Sequence, residues 1–315
     1  MSQQASNTVL MIRPVQFRMN EQTAVNNYYQ KKLEGLTPEN VNPKAVEEFD
    51  GFVERLRSVG VNVVVVQDTK DTDTPDSIFP NNWISFHEDG TVVLYPMFAE
   101  NRRLERREDV FDILEDAGFH INDEILDYTS AEEDNVFLEG TGSMILDREN
   151  DRCYVALSPR ADEELVIEFC EDNDLDPVIF EAYQTTADGE RLPIYHTNVM
   201  MSIGETFAVI CADSIDDKAE RKLVLNKLKE DGKDIVYITE EQVNHFAGNM
   251  LQVEGAEGKL YLVMSTQAYE SLTDAQIKQI ESHCAILHAP LYTIEACGGG
   301  SARCMLAEVF LPKAE

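Results

Sequence analysis

Basic residues are scarce in this 315-residue chain: 26 Lys and Arg stand against 59 Asp and Glu, for a formal net charge of −33. That balance excludes nucleic acid and anionic membrane surfaces as partners, because phosphate binding needs basic patches. A surplus of this size reads first as a solvated surface that keeps the protein soluble, and it would also steer a cationic small molecule inward. Long apolar runs are missing too. No window approaches the roughly 18 uninterrupted apolar residues of a membrane span. None of the six cysteines forms a C-x-x-C pair, so zinc and thioredoxin-like motifs are not expected. There is no apolar leader at the N-terminus, and a chain this large has no need of a disulfide scaffold, so the expectation is free thiols in a reducing cytoplasm. Low-complexity tracts and Pro/Ser-rich linkers are also absent. One domain over residues 1–315 follows as the expected organisation.

What is present is a regular alternation of strands and helices. Thr8–Ile12 is a short apolar strand. Pro43–Gly60 predicts a helix, with proline near its start, Val46, Phe49, Val53 and Leu56 on one face, and glycine at its end. Val61–Val66 is a β-branched run that suits a buried strand. Strands over Ile78–Phe86 and Thr91–Tyr95 flank a turn at His87–Gly90, followed by a helix over Arg102–Ala117 and a strand over Phe119–Ile125. A third unit has strands Ser143–Leu146 and Tyr154–Leu157, a helix Asp162–Glu171 and a strand Pro177–Phe180. A fourth has strands Val199–Ile203 and Thr206–Ile210, a helix Ile215–Glu230 and a strand Asp234–Ile238, after a surface loop at Thr185–Arg191. A fifth has strands Met250–Val253 and Leu260–Met264, a helix Asp274–Glu281 and a terminal strand after Cys304. Five strand–strand–helix–strand units at a period of roughly 60 residues suggest a circular array of similar units.

Three consecutive glycines, Gly298–Gly300, suit a main chain that turns sharply or approaches a ligand closely. Cys304 follows them, placed either as a nucleophile or as a buried, inert thiol after a glycine hairpin. A thiol nucleophile needs a proton acceptor, and the acceptor needs an orienting group. Among six histidines, His196 is distinctive because it opens the apolar stretch Tyr195–Met201, where it would be partly enclosed. A structural histidine would suit the same place. Glu139 sits between Phe137-Leu138 and Gly140-Thr-Gly142, among neighbours that favour burial. A carboxylate there is paired or functional, or it caps local amides. The segment Pro75–Ile84 contains the only tryptophan, together with Asn81 and Asn82, which are turn formers or amides presented to a polar, neutral ligand.

Glu139-Gly-Thr-Gly, His196-Thr-Asn198 and Gly298-Gly-Gly-Ser-Ala-Arg-Cys304-Met, in that order, resemble the guanidino-modifying (pentein) superfamily of deiminases, dimethylarginine hydrolases, dihydrolases and amidinotransferases. Pro75-Asp76-Ser-Ile-Phe79 resembles a segment of the dimethylarginine enzymes, and Val155-Ala-Leu-Ser-Pro-Arg160 one whose arginine holds the substrate carboxylate. Phe79-Pro-Asn-Asn-Trp83, Asn101-Arg-Arg-Leu104 and Leu138–Ser143 are similar to the bacterial branch called citrulline utilization hydrolase. The resemblance implies an α/β fold, a five-bladed α/β propeller of ββαβ units with pseudo-fivefold symmetry. It implies Cys304 as nucleophile, His196 as general acid/base and Glu139 as the orienting carboxylate. Arg160, Asp76, Asn82 and Asn198 would bind the substrate. No cofactor and no metal is required. The partner is a small molecule resembling citrulline or arginine, and self-association is left open.

The departures from the family pattern bear on the substrate. Asn198 and Asn82 stand where deiminases place acids. A guanidinium offers only N–H donors and is matched by carboxylates, whereas an amide can face the carbonyl and N–H groups of a ureido group. The expected reaction is therefore hydrolysis of citrulline, or of arginine through citrulline to ornithine, by way of a covalent cysteine adduct. Amidino transfer, simple deimination and a non-catalytic binding propeller are the alternatives.

Overall fold

The computed structural model describes residues 3–31, 37–122, 125–186 and 188–314. The chain begins with β1 (Thr8–Arg13), α1 (Pro38–Ser58) and β2 (Asn62–Gln67). Then come β3 (Ile84–Phe86), β4 (Val92–Leu94), α2 (Glu100–Arg103), α3 (Asp109–Asp116) and β5 (Ile125–Asp127). The third stretch holds α4 (Gly140–Ser143), β6 (Met144–Asp147), β7 (Arg152–Leu157), α5 (Glu163–Asp172) and β8 (Asp176–Glu181). A hairpin of β9 (Tyr183–Thr185) and β10 (Arg191–Pro193) leads to β11 (Met201–Ile203), β12 (Phe207–Ile210), α6 (Lys218–Glu230) and β13 (Asp234–Tyr237). After α7 (Glu240–Val243) come β14 (Leu251–Glu254), β15 (Leu260–Ser265), α8 (Thr266–Ser271), α9 (Asp274–Glu281) and β16 (Ala285–Ala289). The chain closes with α10 (Tyr292–Gly298) and β17 (Ala307–Glu308).

Among the described residues the strands form five three-stranded sheets and the small β9–β10 hairpin. The sheets are β17-β1-β2, β3-β4-β5, β6-β7-β8, β11-β12-β13 and β14-β15-β16. In each, the middle strand pairs antiparallel on one side and parallel on the other. The parallel pairing requires a crossover, which α1, α3, α5, α6 and α9 supply. The middle strands are largely buried, and β12 (Phe207–Ile210) is buried throughout. That explains why they read as continuous apolar runs rather than alternating ones.

The expected alternation is present, with instructive shifts. Helix α1 starts upstream of Pro43, at Pro38, where proline suits the first turn, and the Thr37 N–H is capped by Asn40 Oδ1 at 2.9 Å. The helix expected over Arg102–Ala117 is broken in two. Arg102, Arg106 and Arg107 are drawn to separate partners, Glu105, Glu132 and the Gln67 carbonyl, and these anchors hold the intervening chain out of helix. The strand expected from Ile78 starts only at Ile84, because Pro80–Asn82 form a 3₁₀ turn. Residues 197–199 likewise form a 3₁₀ turn ahead of β11. The strand expected over Phe119–Ile125 is displaced to Ile125–Asp127, and residues 123 and 124 lie outside the described residues. So does residue 187 of the expected loop, whose flanks pair as β9 and β10. The largest correction concerns the C-terminus. The strand after Cys304 does not complete the fifth unit. That role falls to β16, while β17 pairs antiparallel with β1, Val9 opposite Glu308 and Leu10 opposite Ala307.

One consequence positions the site. The antiparallel edge strand of each sheet is preceded by a tight turn: Pro80–Asn82 before β3, Gly140–Ser143 before β6, Thr197–Val199 before β11, Gly248-Asn249 before β14 and Ala302–Met305 before β17. These turns touch one another. The turn 140–143 contacts both 80–82 and 197–199, and 80–82 contacts 302–305. Gly248 packs so close to the Val199 carbonyl that a Cβ would lie 2.3 Å from it. Five segments far apart in sequence thus meet at one point.

Candidate active site

Glu139 and His196 form the core of this meeting point. Gly140 takes φ +44°, and a Cβ there would lie 2.5 Å from the Asn81 carbonyl, so only glycine lets the chain turn away directly after Glu139. Glu139 Oε2 lies 2.7 Å from His196 Nε2, and Oε1 accepts the Phe98 N–H at 3.0 Å. Both side chains are essentially buried, at 0% and 2% exposure. Arg160 Nη1 stands 3.4 Å and Arg102 Nη1 4.0 Å from Glu139 Oε2. Burial pushes the Glu139 carboxyl up, but the Arg160 charge, the His196 bond and Arg102 together hold it well below the usual range. Burial pushes His196 down to about 4, against the pull of Glu139. At neutral pH the pair is therefore a carboxylate and a neutral imidazole. Nε2–H donates to Glu139, which leaves Nδ1 with a lone pair.

Cys304 arrives from the glycine loop. Gly299 takes φ +64°, the left-handed region, at the C-terminal end of α10. Its carbonyl accepts from the Tyr195 hydroxyl at 2.6 Å and from Asn27 Nδ2 at 3.3 Å. The thiol is buried and has two amide neighbours: Asn249 Nδ2 at 3.2 Å and Asn198 Nδ2 at 3.5 Å from Sγ. The other five cysteines are buried and free.

Cys304, His196, Asn82, Arg160 and Asp76 line a common, tightly closed cavity, together with Thr23, Asn27, Phe79, Arg102, Tyr195, Gly298 and Gly300. Glu139 and Asn198 are not part of its wall but touch His196 and the sulfur. The seven residues singled out in the sequence are thus brought together. Their partners were not all foreseeable. Asn82 Oδ1 accepts from Arg102 Nη1 at 2.6 Å, and its Nδ2 donates to Asn81 Oδ1 at 3.0 Å. Arg160 is buried rather than exposed at a helix start. It lies over the Tyr195 ring at 4.8 Å, and its guanidinium binds Asn26 Oδ1 and the Thr23 carbonyl. Asp76 Oδ2 accepts from Asn20 at 2.8 Å and Thr23 at 3.2 Å, while its buried Oδ1 has no partner among the described residues. Burial raises the Asp76 carboxyl, opposed chiefly by Arg102.

Arg102 and Asn249 went unrecognised in the sequence, as did the segment Asn20–Asn27. The repeat held a signal for Asn249. It precedes Met250-Leu251 as Cys304 precedes Met305-Leu306 and Asn198 precedes Val199-Met200. Among the described residues no group of three or more His, Cys, Asp or Glu could hold a metal ion, and no described helix is long and apolar enough to cross a membrane.

The tightness of the site makes one prediction. A Cβ at Gly142 would lie 2.3 Å from Asn82 Nδ2 and 2.9 Å from His196 Nδ1. Both groups are tethered, by Arg102 and Glu139, so neither can yield. Gly142→Ala should lower turnover by about 10²-fold, with the protein still folded by circular dichroism.

A sequence profile described as N,N dimethylarginine dimethylhydrolase, eukaryotic, matches residues 13–311. No curated protein matches significantly. Among solved structures, the chain is similar to apo ArgZ, an arginine dihydrolase from the ornithine–ammonia cycle in Cyanobacteria. The TM-score is 0.72 at 18% identity, over 97% of this chain and 41% of that one. The chain therefore spans well under half the length of ArgZ. The isolated N-terminal domain of ArgZ, bound to substrate, is matched over 99% of its length at TM-score 0.71 and 18% identity. A histidine-to-glycine variant of dimethylarginine dimethylaminohydrolase, in adduct with S-methyl-L-thiocitrulline, is matched over 99% of its length at TM-score 0.63 and 11% identity. At these identities the likeness is one of fold.

Proposed function

Since this chain belongs to the N,N dimethylarginine dimethylhydrolase family of guanidino-modifying (pentein) enzymes, we propose that it hydrolyses the ureido or guanidino group of citrulline or arginine through a covalent Cys304 adduct. The observation that carries this reading is the buried His196–Glu139 pair at 2.7 Å, whose histidine shares one cavity wall with the Cys304 thiol, beside which Asn198 stands where deiminases place an acid. The same reading takes the five sheets as blades of an α/β propeller in one domain over 1–315.

In the proposed reaction, His196 Nδ1 takes the Cys304 proton, and the thiolate attacks the ureido carbon of citrulline. The resulting imidazolium, held against the Glu139 carboxylate, returns the proton to the departing δ-nitrogen. The C–N bond breaks, ornithine leaves, and a carbamoyl group remains on sulfur. Water, deprotonated by the same imidazole, displaces the thiolate. The carbamate released decomposes to carbon dioxide and ammonia. Asp76 Oδ1, the open carboxylate oxygen in the wall, suits a cationic end of the substrate. Arg160 keeps Glu139 ionised and receives the substrate carboxylate in place of Asn26.

Purified protein incubated with citrulline, arginine, dimethylarginine and agmatine should release ornithine and ammonia from citrulline. Arginine converted only to citrulline would establish simple deimination instead, and no release from any of the four would overturn the hydrolase reading. Asn198→Asp discriminates further. A carboxylate at about 3.5 Å from Sγ opposes the thiolate and leaves a ureido carbonyl without a donor. Citrulline turnover should fall about 10–100-fold, with arginine binding much less affected. Parent-like citrulline kinetics in that variant would remove Asn198 from the chemistry.

A further inference from the structure

Asn249 sits fully buried in the turn before β14, and its amide is held in one orientation. Oδ1 accepts the Arg303 backbone N–H at 3.0 Å. Nδ2 has two hydrogens and two acceptors, the Asn198 carbonyl at 3.0 Å and Cys304 Sγ at 3.2 Å. A flipped amide would set Nδ2 against the Arg303 N–H and the oxygen against the Asn198 carbonyl, exchanging two bonds for two repulsions. One N–H therefore aims at the sulfur by construction. Asn198 differs, because its Nδ2 and its Oδ1 lie 3.5 and 3.8 Å from Sγ and it can serve the sulfur as donor or acceptor. No cation comes from the Arg303 side, since that guanidinium turns to the Leu306 carbonyl at 2.8 Å and to Glu308 at 2.7 Å.

We infer that Asn249 is the thiolate-stabilising residue of this site: its fixed N–H donates to Cys304 Sγ and favours the nucleophilic anion over the thiol. The inference rests on the proposed nucleophilic role of Cys304. An N–H bond to an anion is roughly twice as strong as one to a neutral acceptor, so this contact gains strength as the proton leaves the sulfur. Being neutral, the amide does so without repelling a cationic substrate. His196 takes the proton, Asn249 holds the charge left behind, and the turn before β14 joins the four turns that carry the other site groups.

The test is the rate of iodoacetamide alkylation of Cys304 across pH 6–10, which needs no substrate. It reads Asn249 even if the proposed reaction proves wrong. Cys304→Ser identifies the thiol that reacts. Asn249→Leu removes the donor at similar volume. Asn249→Asp keeps the acceptor for the Arg303 N–H but faces the sulfur with oxygen. The titratable groups of the cavity, Asp76, Arg102, Arg160, Tyr195 and His196, are the same in every protein compared. Whichever variant melts cooperatively should alkylate at least about tenfold more slowly at pH 7 than the parent, with the gap closing toward pH 10. A folded variant that alkylates at the parental rate overturns the inference. So does a slowing that is equal at every pH, because a merely structural strut would alter access and not ionisation.

Discussion

Cys304→Ser is expected to lower ornithine release by at least about 10⁴-fold while shifting the melting temperature by no more than roughly 3 °C. The stability claim follows from the packing. A serine hydroxyl fits the same space and can accept from Asn249 and Asn198, which now donate to sulfur. The activity claim follows from acidity. Burial makes His196 a weak base, and a hydroxyl is a far weaker acid than a thiol. Single-turnover product analysis with citrulline, run beside a melting curve, separates the two claims. A serine variant that turns over like the parent ends the covalent mechanism. Cys153, Cys170, Cys211, Cys284 and Cys297 lie in the apolar core rather than in the cavity wall, so changing each to Ala should leave the chemistry intact.

Glu139→Gln is expected to lower kcat by roughly 10³-fold and stability by about 3 kcal/mol. The amide keeps one acceptor for the Phe98 N–H, but it can neither stabilise an imidazolium nor balance Arg160 and Arg102, both buried beside it. The pH dependence provides an independent check. Glu139 is held below its unfolded value near 4.5, so its contribution is complete above that pH and is lost as pH falls further. His196 is also depressed, from 6.5 to about 4, so the unfolded chain takes up a proton that the fold refuses, and stability declines as pH drops through that window. Denaturant unfolding of the parent should weaken from pH 6.5 downward and more steeply below 4.5. In the variant the steeper part should disappear. Parent-like kcat, or an unchanged acid limb, would show that the carboxylate does not work through the imidazole.

The legible parts of this protein were those written in local pattern. The β-branched run Val61–Val66 announced edge strand β2 through its propensity, and the apolar stretch Phe207–Ile210 announced β12 because a middle strand buried throughout needs no polar alternation. Thr273 caps α9 through its own side chain, so its start at Asp274 is a local fact, whereas α6, expected from Ile215, starts only at Lys218 behind its Asp217 cap. Glu139, His196 and Cys304 stood out because each is a chemically specific side chain in a glycine-rich or apolar setting where a solvated role is improbable. Boundaries failed where side chains reach across the fold. The break between α2 and α3 depends on the partners of Arg102, Arg106 and Arg107, which come from residues 67, 95, 105 and 132.

By itself, then, the sequence determined most of the strands and helices, their recurrence at a period of roughly 60 residues, and which three groups could form a nucleophile, a base and an orienting acid. Local propensity, burial pattern and side-chain chemistry are properties a segment carries with it. Only the tertiary structure decided that β17 returns to pair with β1, that Arg160 is enclosed by Thr23 and Asn26, that Arg102 reaches Asn82, and that Asn249 presents an N–H to the sulfur. A pairing partner or a hydrogen-bond partner 20 or more residues away leaves no trace in its own neighbourhood. What a buried polar group does is set by the groups that distant segments bring against it.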